Sequence, residues 1–223
     1  HAWIGDQKPR PGPTKTPTTA REEPRMWIAA WNGLLDLLAP ARCPGCDVAL
    51  DFGERGFCGA CALLLERLPG PAAYVFGGPL ADAIRRYKYG RRTDLVPELG
   101  ALLVDAARAH VGKIDVVIPV PSHPRRVKAR GFDHGVLLAE PVAKALDVPL
   151  DRARLRRIRD TPPQASLPET AREENVRGAF EATRDDARRR VLLIDDVRTT
   201  GATTKAASAA LYRSGATEVR TLT

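Results

Sequence analysis

The chain has 223 residues, a formal net charge of +8 and a hydrophobic fraction of 43%. This length suffices for one medium domain and a small module. The basic charge favours anionic partners, such as phosphates, nucleotides or nucleic acid, or reflects an arginine-rich proteome. No apolar run reaches the roughly 18 residues that a membrane-spanning helix needs, and the first residues lack the apolar segment of a signal peptide. We therefore expect a cytoplasmic protein without a membrane span.

The composition changes along the chain and predicts three parts. Residues 1-25 are rich in proline and threonine and are predicted to be a disordered extension. Residues 26-68 are predicted to hold a packing helix, apolar on one face from Trp27 to Leu38, and then a cysteine module. Residues 69-223 follow a Pro-Gly-Pro break. They end inside a predicted strand, so we expect a truncated C-terminus.

All the cysteines of the chain form two Cys-x-x-Cys pairs, Cys43 with Cys46 and Cys58 with Cys61. Each pair sits on a tight turn that brings two thiolates to one point, and two such turns supply the tetrahedral set that zinc prefers. Because all four ligands are thiolates, the site is expected to be closed and structural. The alternative is two redox motifs or disulfides, which a cytosolic chain without other cysteines rarely builds.

Predicted strands and helices alternate from about residue 72 onward. This order predicts an α/β domain with a mostly parallel sheet covered by helices on both faces. The predicted strands are residues 72-76, 115-122, 152-159, 191-194 and 218-223, and the predicted helices are 80-89, 94-111, 135-146 and about 202-214. Ligands of such sheets bind where loops leave the carboxyl ends of the strands. Those loops are here at Ser122, Asp160 and Thr199.

The stretch from Val191 to Thr203 combines a short apolar strand, an acidic pair and a loop of small residues ahead of a helix. Asp195 and Asp196 can accept hydrogen bonds from a vicinal diol or hold a metal-bound water. The loop N–H groups and the helix dipole attract an anion, and Gly201 lets the backbone approach it. The pattern predicts a sugar-phosphate site whose loop also includes Thr199, Thr200 and Thr203.

Two basic stretches and a long polar one accompany this site. Residues 123-131 read as a glycine-ended loop with four cations, which can hold a pyrophosphate or is simply solvated. Residues 152-159 read as an arginine-rich strand. The polar stretch from residue 160 to residue 177 shows no apolar periodicity, which is typical of a mobile functional loop or lid.

These motifs carry a family resemblance. Residues 191-203 resemble the phosphoribosyl-pyrophosphate (PRPP) binding motif of type I phosphoribosyltransferases. With the cysteine pairs, Tyr87-Lys88-Tyr89-Gly90, residues 119-132 and residues 164-180, the order of motifs resembles the competence-protein ComF/GntX family. The resemblance implies a zinc ribbon joined to a type I phosphoribosyltransferase-like domain, and it covers residues from about 27 to the end.

The resemblance also implies residue roles. Asp195 and Asp196 would be the catalytic pair, which binds the ribose hydroxyls. The 5′-phosphate would be held by Thr199, Thr200, Gly201, Ala202 and Thr203. The pyrophosphate would meet Pro121, Ser122, Arg125, Arg126 and Lys88. A hood from residue 161 to residue 172, with Gln164 and Arg172, would close over PRPP, with magnesium bound through substrate oxygens. The family often has Asn-Gln where this chain has Asp133-His134, so neither receives a ligand role.

The sequence and the resemblance lead to two alternative functions. They do not determine the oligomeric state. The first is transfer of ribose 5-phosphate from PRPP to an unknown nitrogenous acceptor, with pyrophosphate release and no protein nucleophile. The second is a catalytically weak PRPP- or nucleotide-binding protein that binds single-stranded nucleic acid in DNA uptake or processing, with competence or DNA-processing proteins as partners. A receiver-like signalling domain is disfavoured, because its acidic pair ends the first strand.

Overall fold

The computed structural model describes residues 40-70, 73-162, 168-184 and 188-223, apart from the side chains of residues 169 and 170. The predicted extension, the predicted helix from Trp27 and the hood residue Gln164 lie outside the described residues. Residues Ala41–Thr223 form one structural unit.

The predicted helices are present with small shifts in their bounds. In the described residues the α-helices are α1 (Gly59–Ala62), α2 (Gly78–Tyr89), α3 (Val96–Ala107), α4 (Pro124–Arg130), α5 (His134–Leu146), α6 (Glu169–Val176) and α7 (Ala202–Arg213). Short 3₁₀ turns, Thr93–Leu95 and Arg108–His110, extend α3 at both ends. None of these helices combines the length and the apolar character needed to cross a bilayer.

The strands are β1 (Val116–Pro119), β2 (Leu155–Arg157), β3 (Phe180–Ala182), β4 (Arg190–Ile194) and β5 (Glu218–Leu222). Strands β1, β4 and β5 form a parallel sheet in that order, with Val191 of β4 opposite Val116 and Val219. Leu150 adds a parallel bridge beside β1. The predicted parallel α/β architecture is therefore confirmed.

The sheet buries both of its faces, which explains why its strands read as continuous apolar runs. One face packs Val117, Leu192 and Ile194 against α2, α3 and α5. The opposite face packs Ile118 and Leu193 against α7 and the two-stranded sheet of β2 and β3. Alternate residues of each strand thus serve two separate cores, and the strand ends are fixed from both sides.

Two predicted strands differ from the structure. The strand predicted at residues 72-76 is reduced to an isolated bridge between Tyr74 and Arg67, and Phe76 is 42% exposed. The strand predicted at 152-159 is only β2, paired antiparallel with β3. The carboxylate of Asp151 accepts hydrogen bonds from the N–H groups of Ala153 and Arg154, both at 3.0 Å. This side-chain turn keeps the backbone before Leu155 from pairing with β3.

Two segments predicted to be loops contain helices. The basic stretch of residues 123-131 is α4, with Pro124 in its first turn, the His123 ring capping its start and Gly131 in the left-handed conformation at its end. Proline at the start and glycine at the end are helix signals, so the prediction of a loop was wrong. The polar stretch of residues 160-177 contains α6, whose sequence lacks an apolar stripe that would have indicated a helix.

Candidate functional site

The acidic pair lies directly after the carboxyl end of the central strand β4. The N–H of Val120 donates to the carbonyl of Ile194 at 2.7 Å, and the N–H of Asp195 donates to Leu222 at 3.1 Å. Hydrogen bonds to both neighbouring strands therefore fix the backbone where the two carboxylates begin. One Asp195 oxygen accepts the N–H of Asp196 at 3.0 Å.

The Asp196 carboxylate is paired with two donors from different helices. Lys88 of α2 places its Nζ 2.7 Å from Oδ2, and His134 of α5 places its Nε2 2.6 Å from the same oxygen. The Asp196 side chain is 5% exposed. Burial raises the pKa of Asp196, but Lys88 and His134 overcome this effect and hold its pKa well below the ordinary range. Asp196 is thus a buried, charged carboxylate.

The hydrogen bonds of His134 define its tautomer. Its Nδ1 lies 2.6 Å from Nη1 of Arg130 and 3.1 Å from the hydroxyl of Ser122. A guanidinium can only donate, so Nδ1 accepts and a ring hydrogen lies on Nε2, the nitrogen 2.6 Å from Asp196. The Tyr87 hydroxyl donates to the backbone carbonyl of His134 at 2.8 Å. The first residue of α5 is therefore held between α2, α4 and the acidic pair.

Asp195, in contrast to Asp196, has a raised pKa. Burial, together with the charge of Asp196 beside it, raises the pKa of Asp195 to about 7. Lys88 and His134 oppose this shift less effectively, because both bond to Asp196. The pair therefore holds one carboxylate that is firmly charged and one that exchanges a proton near neutral pH, and their titrations are linked.

The loop after the acidic pair leads into α7 through a left-handed glycine. Gly201 has a φ of +78°, a conformation that favours glycine. The hydroxyl of Thr200 accepts the N–H of Ala202 at 3.3 Å, and the hydroxyl of Thr204 donates to the Gly201 carbonyl at 3.0 Å. These bonds fix the N-terminus of a 12-residue helix at the end of the loop that follows the acidic pair, where the helix dipole attracts an anion.

The predicted pyrophosphate residues divide into two groups. Ser122 lies beside the acidic pair through its bond to His134. Arg126 is 30% exposed, lies 3.6 Å from Asp160 and donates to the carbonyl of Thr161. Arg125, in contrast, is 83% exposed and reaches Asp160 only at 4.0 Å. The prediction of a phosphate-facing role thus has more structural support for Arg126 than for Arg125.

Other predicted residues lie at the edges of this region. Thr199 is exposed, whereas Pro121 and Thr203 are half-buried. Arg172 of the predicted hood is on α6, which a Glu173–Lys205 ion pair of 3.2 Å joins to α7. Lys88, predicted to reach phosphates, is paired with Asp196, with its Nζ 2.7 Å from Oδ2.

The four cysteines form a separate cluster in which all Sγ atoms lie within 4.8 Å of one another. The Sγ atoms of Cys46 and Cys58 are 3.7 Å apart, close to the roughly 3.8 Å edge of a tetrahedron with zinc–sulfur bonds of about 2.3 Å. Burial raises the pKa of Cys43, but N–H groups of Cys46, Cys58 and Gly45 lower it to about 6. The geometry fits a metal ion and is consistent with a zinc ribbon.

Two residues of the region were not predicted. His134 received no role, and Arg157 was assigned only to a general basic strand. No short sequence pattern marks either residue, because each of them contacts elements that are far away along the chain. Asp133, which also received no role, caps α5 by accepting the N–H of Gly135 at 3.1 Å.

Comparison with known proteins decides the family. The chain is 30% identical over 210 residues to Competence protein F of Haemophilus influenzae, covering 85% of this chain and 92% of that protein. It is also 30% identical over 187 residues to the DNA utilization protein YhgH of Escherichia coli K12, covering 80% and 81%. The chain belongs to the ComF family. Within this ComF-family chain, residues 132-223 match the phosphoribosyl transferase domain family.

Solved structures give a partial likeness. The glutamine PRPP amidotransferase of B. subtilis, solved with ADP and GMP, matches 60% of the ComF-family chain with 24% identity and a TM-score of 0.41. An allosteric regulatory enzyme of purine biosynthesis matches 62% with a TM-score of 0.42. The chain spans 29% of the length of each of these proteins.

Proposed function

We propose that this ComF-family chain binds PRPP with magnesium at the loop from Asp195 to Thr203. The observation that carries the proposal is the juxtaposition of a buried acidic pair with the N-terminus of α7, within the segment that matches the phosphoribosyl transferase domain family. The acidic pair would bind the ribose hydroxyls, and residues 199-203 would bind the 5′-phosphate. The pyrophosphate would lie toward Ser122 and Arg126.

We further propose that the bound PRPP reacts with a nitrogenous acceptor. The bond between C1 of the ribose and the pyrophosphate oxygen breaks, and its electron pair leaves with pyrophosphate. The acceptor nitrogen bonds to the oxocarbenium-like C1 with its lone pair, and an N–H acceptor releases its proton to solvent. Cationic side chains that face the leaving pyrophosphate would lower the barrier, because its charge develops in the transition state. Magnesium, when bound with PRPP, adds positive charge there. An ionised Asp195 would favour the positive charge that develops on the ribose.

Zinc is the metal that we propose for the cysteine cluster, held by Cys43, Cys46, Cys58 and Cys61 as a closed structural site. The proposed organisation is then an extension over residues 1-25, a helix and zinc ribbon over residues 26-68, and a phosphoribosyltransferase-like domain over residues 69-223. We also propose a cytoplasmic location.

Transfer can be tested by measuring pyrophosphate released from PRPP and magnesium in the presence of single purines, pyrimidines and related amides. The expected result is release that depends on one acceptor and is lost in the Asp195→Asn, Asp196→Asn double variant. The matched control is Asp94→Asn, which changes a carboxylate that is paired with Arg92 away from the acidic pair. A protein that binds PRPP but releases no pyrophosphate with any acceptor would contradict transferase activity.

A second candidate function is binding of single-stranded DNA in its uptake or processing. The names of the relatives, Competence protein F and DNA utilization protein, favour this function. Arg156 is 66% exposed and suits such a contact, whereas Arg154 is 4% exposed and does not. Filter binding should weaken steeply with salt and weaken again in Arg156→Ala. Binding that is insensitive to both changes would contradict this function.

A further inference from the structure

Arg157 points from β2 toward the interior of the domain. Leu155 and Arg157 share one face of the strand, where Leu155 is 2% exposed and Arg157 is half-buried. Arg156, between them, faces solvent, as strand alternation requires. The Arg157 guanidinium carbon lies 5.3 Å from the centre of the Phe180 ring, so the charged end of the side chain packs over a ring of the neighbouring strand β3.

Two guanidinium groups meet at Thr161. Arg157 donates from Nη2 to the Thr161 hydroxyl, and Arg126 donates from Nη2 to the Thr161 carbonyl. Thr161 itself is only 3% exposed. Arg126 comes from α4, after β1, and Arg157 comes from β2, so the fold brings these two cations together from separate elements.

The positive charge at this point is incompletely neutralised. Arg126 has Asp160 at 3.6 Å. In the part of the chain that the structure describes, no carboxylate lies within salt-bridge distance of Arg157, and its buried Nε has no hydrogen-bond partner. Burial and the nearby charge of Arg126 lower the pKa of Arg157, while Asp195 and Asp160 act in the opposite direction.

We propose that Arg157 is a second pyrophosphate-binding cation, which acts with Arg126 on the diphosphate group of PRPP. The inference rests on the proposed function and adds to it a residue from strand β2. Two adjacent guanidinium groups match a diphosphate, because each offers planar, paired donors to phosphate oxygens. A buried donor without a partner, beside an unneutralised charge, is the environment that an anion stabilises.

The test separates the two halves of PRPP. Pyrophosphate and ribose 5-phosphate are titrated separately, with magnesium, into the wild-type chain, Arg157→Met and the control Arg156→Met. Methionine retains an apolar stem against Phe180 but removes the charge. We expect Arg157→Met to weaken pyrophosphate binding by about tenfold or more, as for loss of a hydrogen bond to a charged group. Ribose 5-phosphate affinity and the Arg156→Met control should stay within about twofold.

Two further variants distinguish contact from positioning. Arg157→Gln can still donate to the Thr161 hydroxyl but carries no charge, so it should show the same loss; it also serves if Arg157→Met does not fold. Thr161→Val removes that hydrogen bond but leaves the charge, so pyrophosphate binding should be retained. An Arg157→Gln protein that binds pyrophosphate like the wild type, or an equal loss in Thr161→Val, would overturn the inference.

This experiment also distinguishes failure of the proposed PRPP binding from failure of the proposed role of Arg157. If the wild-type chain binds pyrophosphate through Arg157 but binds neither ribose 5-phosphate nor PRPP, the anion site stands and the PRPP proposal falls. If the wild-type chain binds PRPP while Arg157→Met and Arg157→Gln bind pyrophosphate normally, PRPP binding stands and the role of Arg157 is refuted.

Discussion

Lys88 and Asp196 form a buried ion pair, with 2.7 Å between Nζ and Oδ2 and side-chain exposures of 19% and 5%. The pair joins α2 to the end of β4, the point from which the proposed PRPP loop begins. Burial lowers the pKa of Lys88, but the nearby Asp196 charge outweighs this effect, and the net pKa of Lys88 is raised. The ion pair therefore holds both partners in their charged forms.

Removing the lysine should destabilise the folded chain. Lys88→Met leaves the buried carboxylate of Asp196 without its ammonium partner, a change that typically costs about 3 kcal/mol or more. Adding Asp196→Asn should recover most of this loss, because the unpaired charge is then removed. Urea denaturation of the wild type, both single variants and the double variant measures the coupling. Strictly additive effects would show that the two residues do not interact.

The tautomer of His134 is a second prediction. Because Nδ1 faces the Arg130 guanidinium, we expect a ring hydrogen on Nε2, the nitrogen that lies 2.6 Å from Asp196. Nitrogen NMR shifts of the imidazole distinguish the two tautomers and the doubly protonated ring. His134→Gln can still donate to Asp196 and should cost less stability than His134→Leu. A hydrogen found on Nδ1 would refute the hydrogen-bond assignment.

Arg86 should stabilise the metal site from outside the cysteine cluster. It donates to the carbonyls of Pro44 and Gly45, the two residues between the first pair of cysteines. A Cβ placed at Gly45 would come within 2.6 Å of Cβ of Pro79, so this turn packs directly on the start of α2. Arg86→Ala should cost about 1 kcal/mol and accelerate zinc release about fivefold.

Zinc release to a chromophoric chelator measures this effect. The matched control is Arg85→Ala, because Arg85 is adjacent, 62% exposed and bonded only to Asp82 of its own helix among the described residues. The control should release zinc at the wild-type rate. Equal rates in both variants and the wild type would remove Arg86 from the support of the cluster.

The pH dependence of stability should report the raised pKa of Asp195. A carboxyl group whose folded-state pKa is raised binds its proton more tightly in the folded chain, so its contribution to stability falls as pH rises from the ordinary value of 3.8 to about 7. Asp195→Asn should therefore raise the melting temperature at pH 8 and change it little near pH 4.

Asp115→Asn gives a control of opposite sign. Hydrogen bonds from Arg190 lower the pKa of Asp115 to about 2. Its contribution to stability is therefore present above pH 3.8 and lost as pH falls toward 2, so Asp115→Asn should lower the melting temperature at pH 7. An Asp195→Asn protein less stable than the wild type at pH 8 would contradict the assignment for Asp195.

The sequence predicted those parts of the fold that depend on local patterns. The apolar run before Asp195 identified the central strand, and the cysteine spacing identified the cluster, because both signals are contained in short stretches. The bond between His134 and Asp196, in contrast, joins residues that are distant in the chain and depends on how α5 packs against the sheet. No local pattern reports that packing, so the residue was missed.

The same distinction explains the errors. Residues 123-131 contain a proline start and a glycine end, but four cations obscured a helix that buries none of its residues. Arg154, Arg156 and Arg157 are chemically equal in the sequence, yet one is buried, one faces solvent and one packs over the Phe180 ring. Strand direction and the Asp151 turn decide these orientations, and neither can be read from charge alone.

Calorimetric titration of PRPP with magnesium into the wild-type chain and into the Asp195→Asn, Asp196→Asn double variant tests the central claim most directly. Saturable binding by the wild-type chain, unchanged in the Asp94→Asn control and abolished in the double variant, is the predicted result. Absence of heat with the wild-type chain at millimolar PRPP, or equal binding by the double variant, would contradict PRPP recognition by the acidic pair.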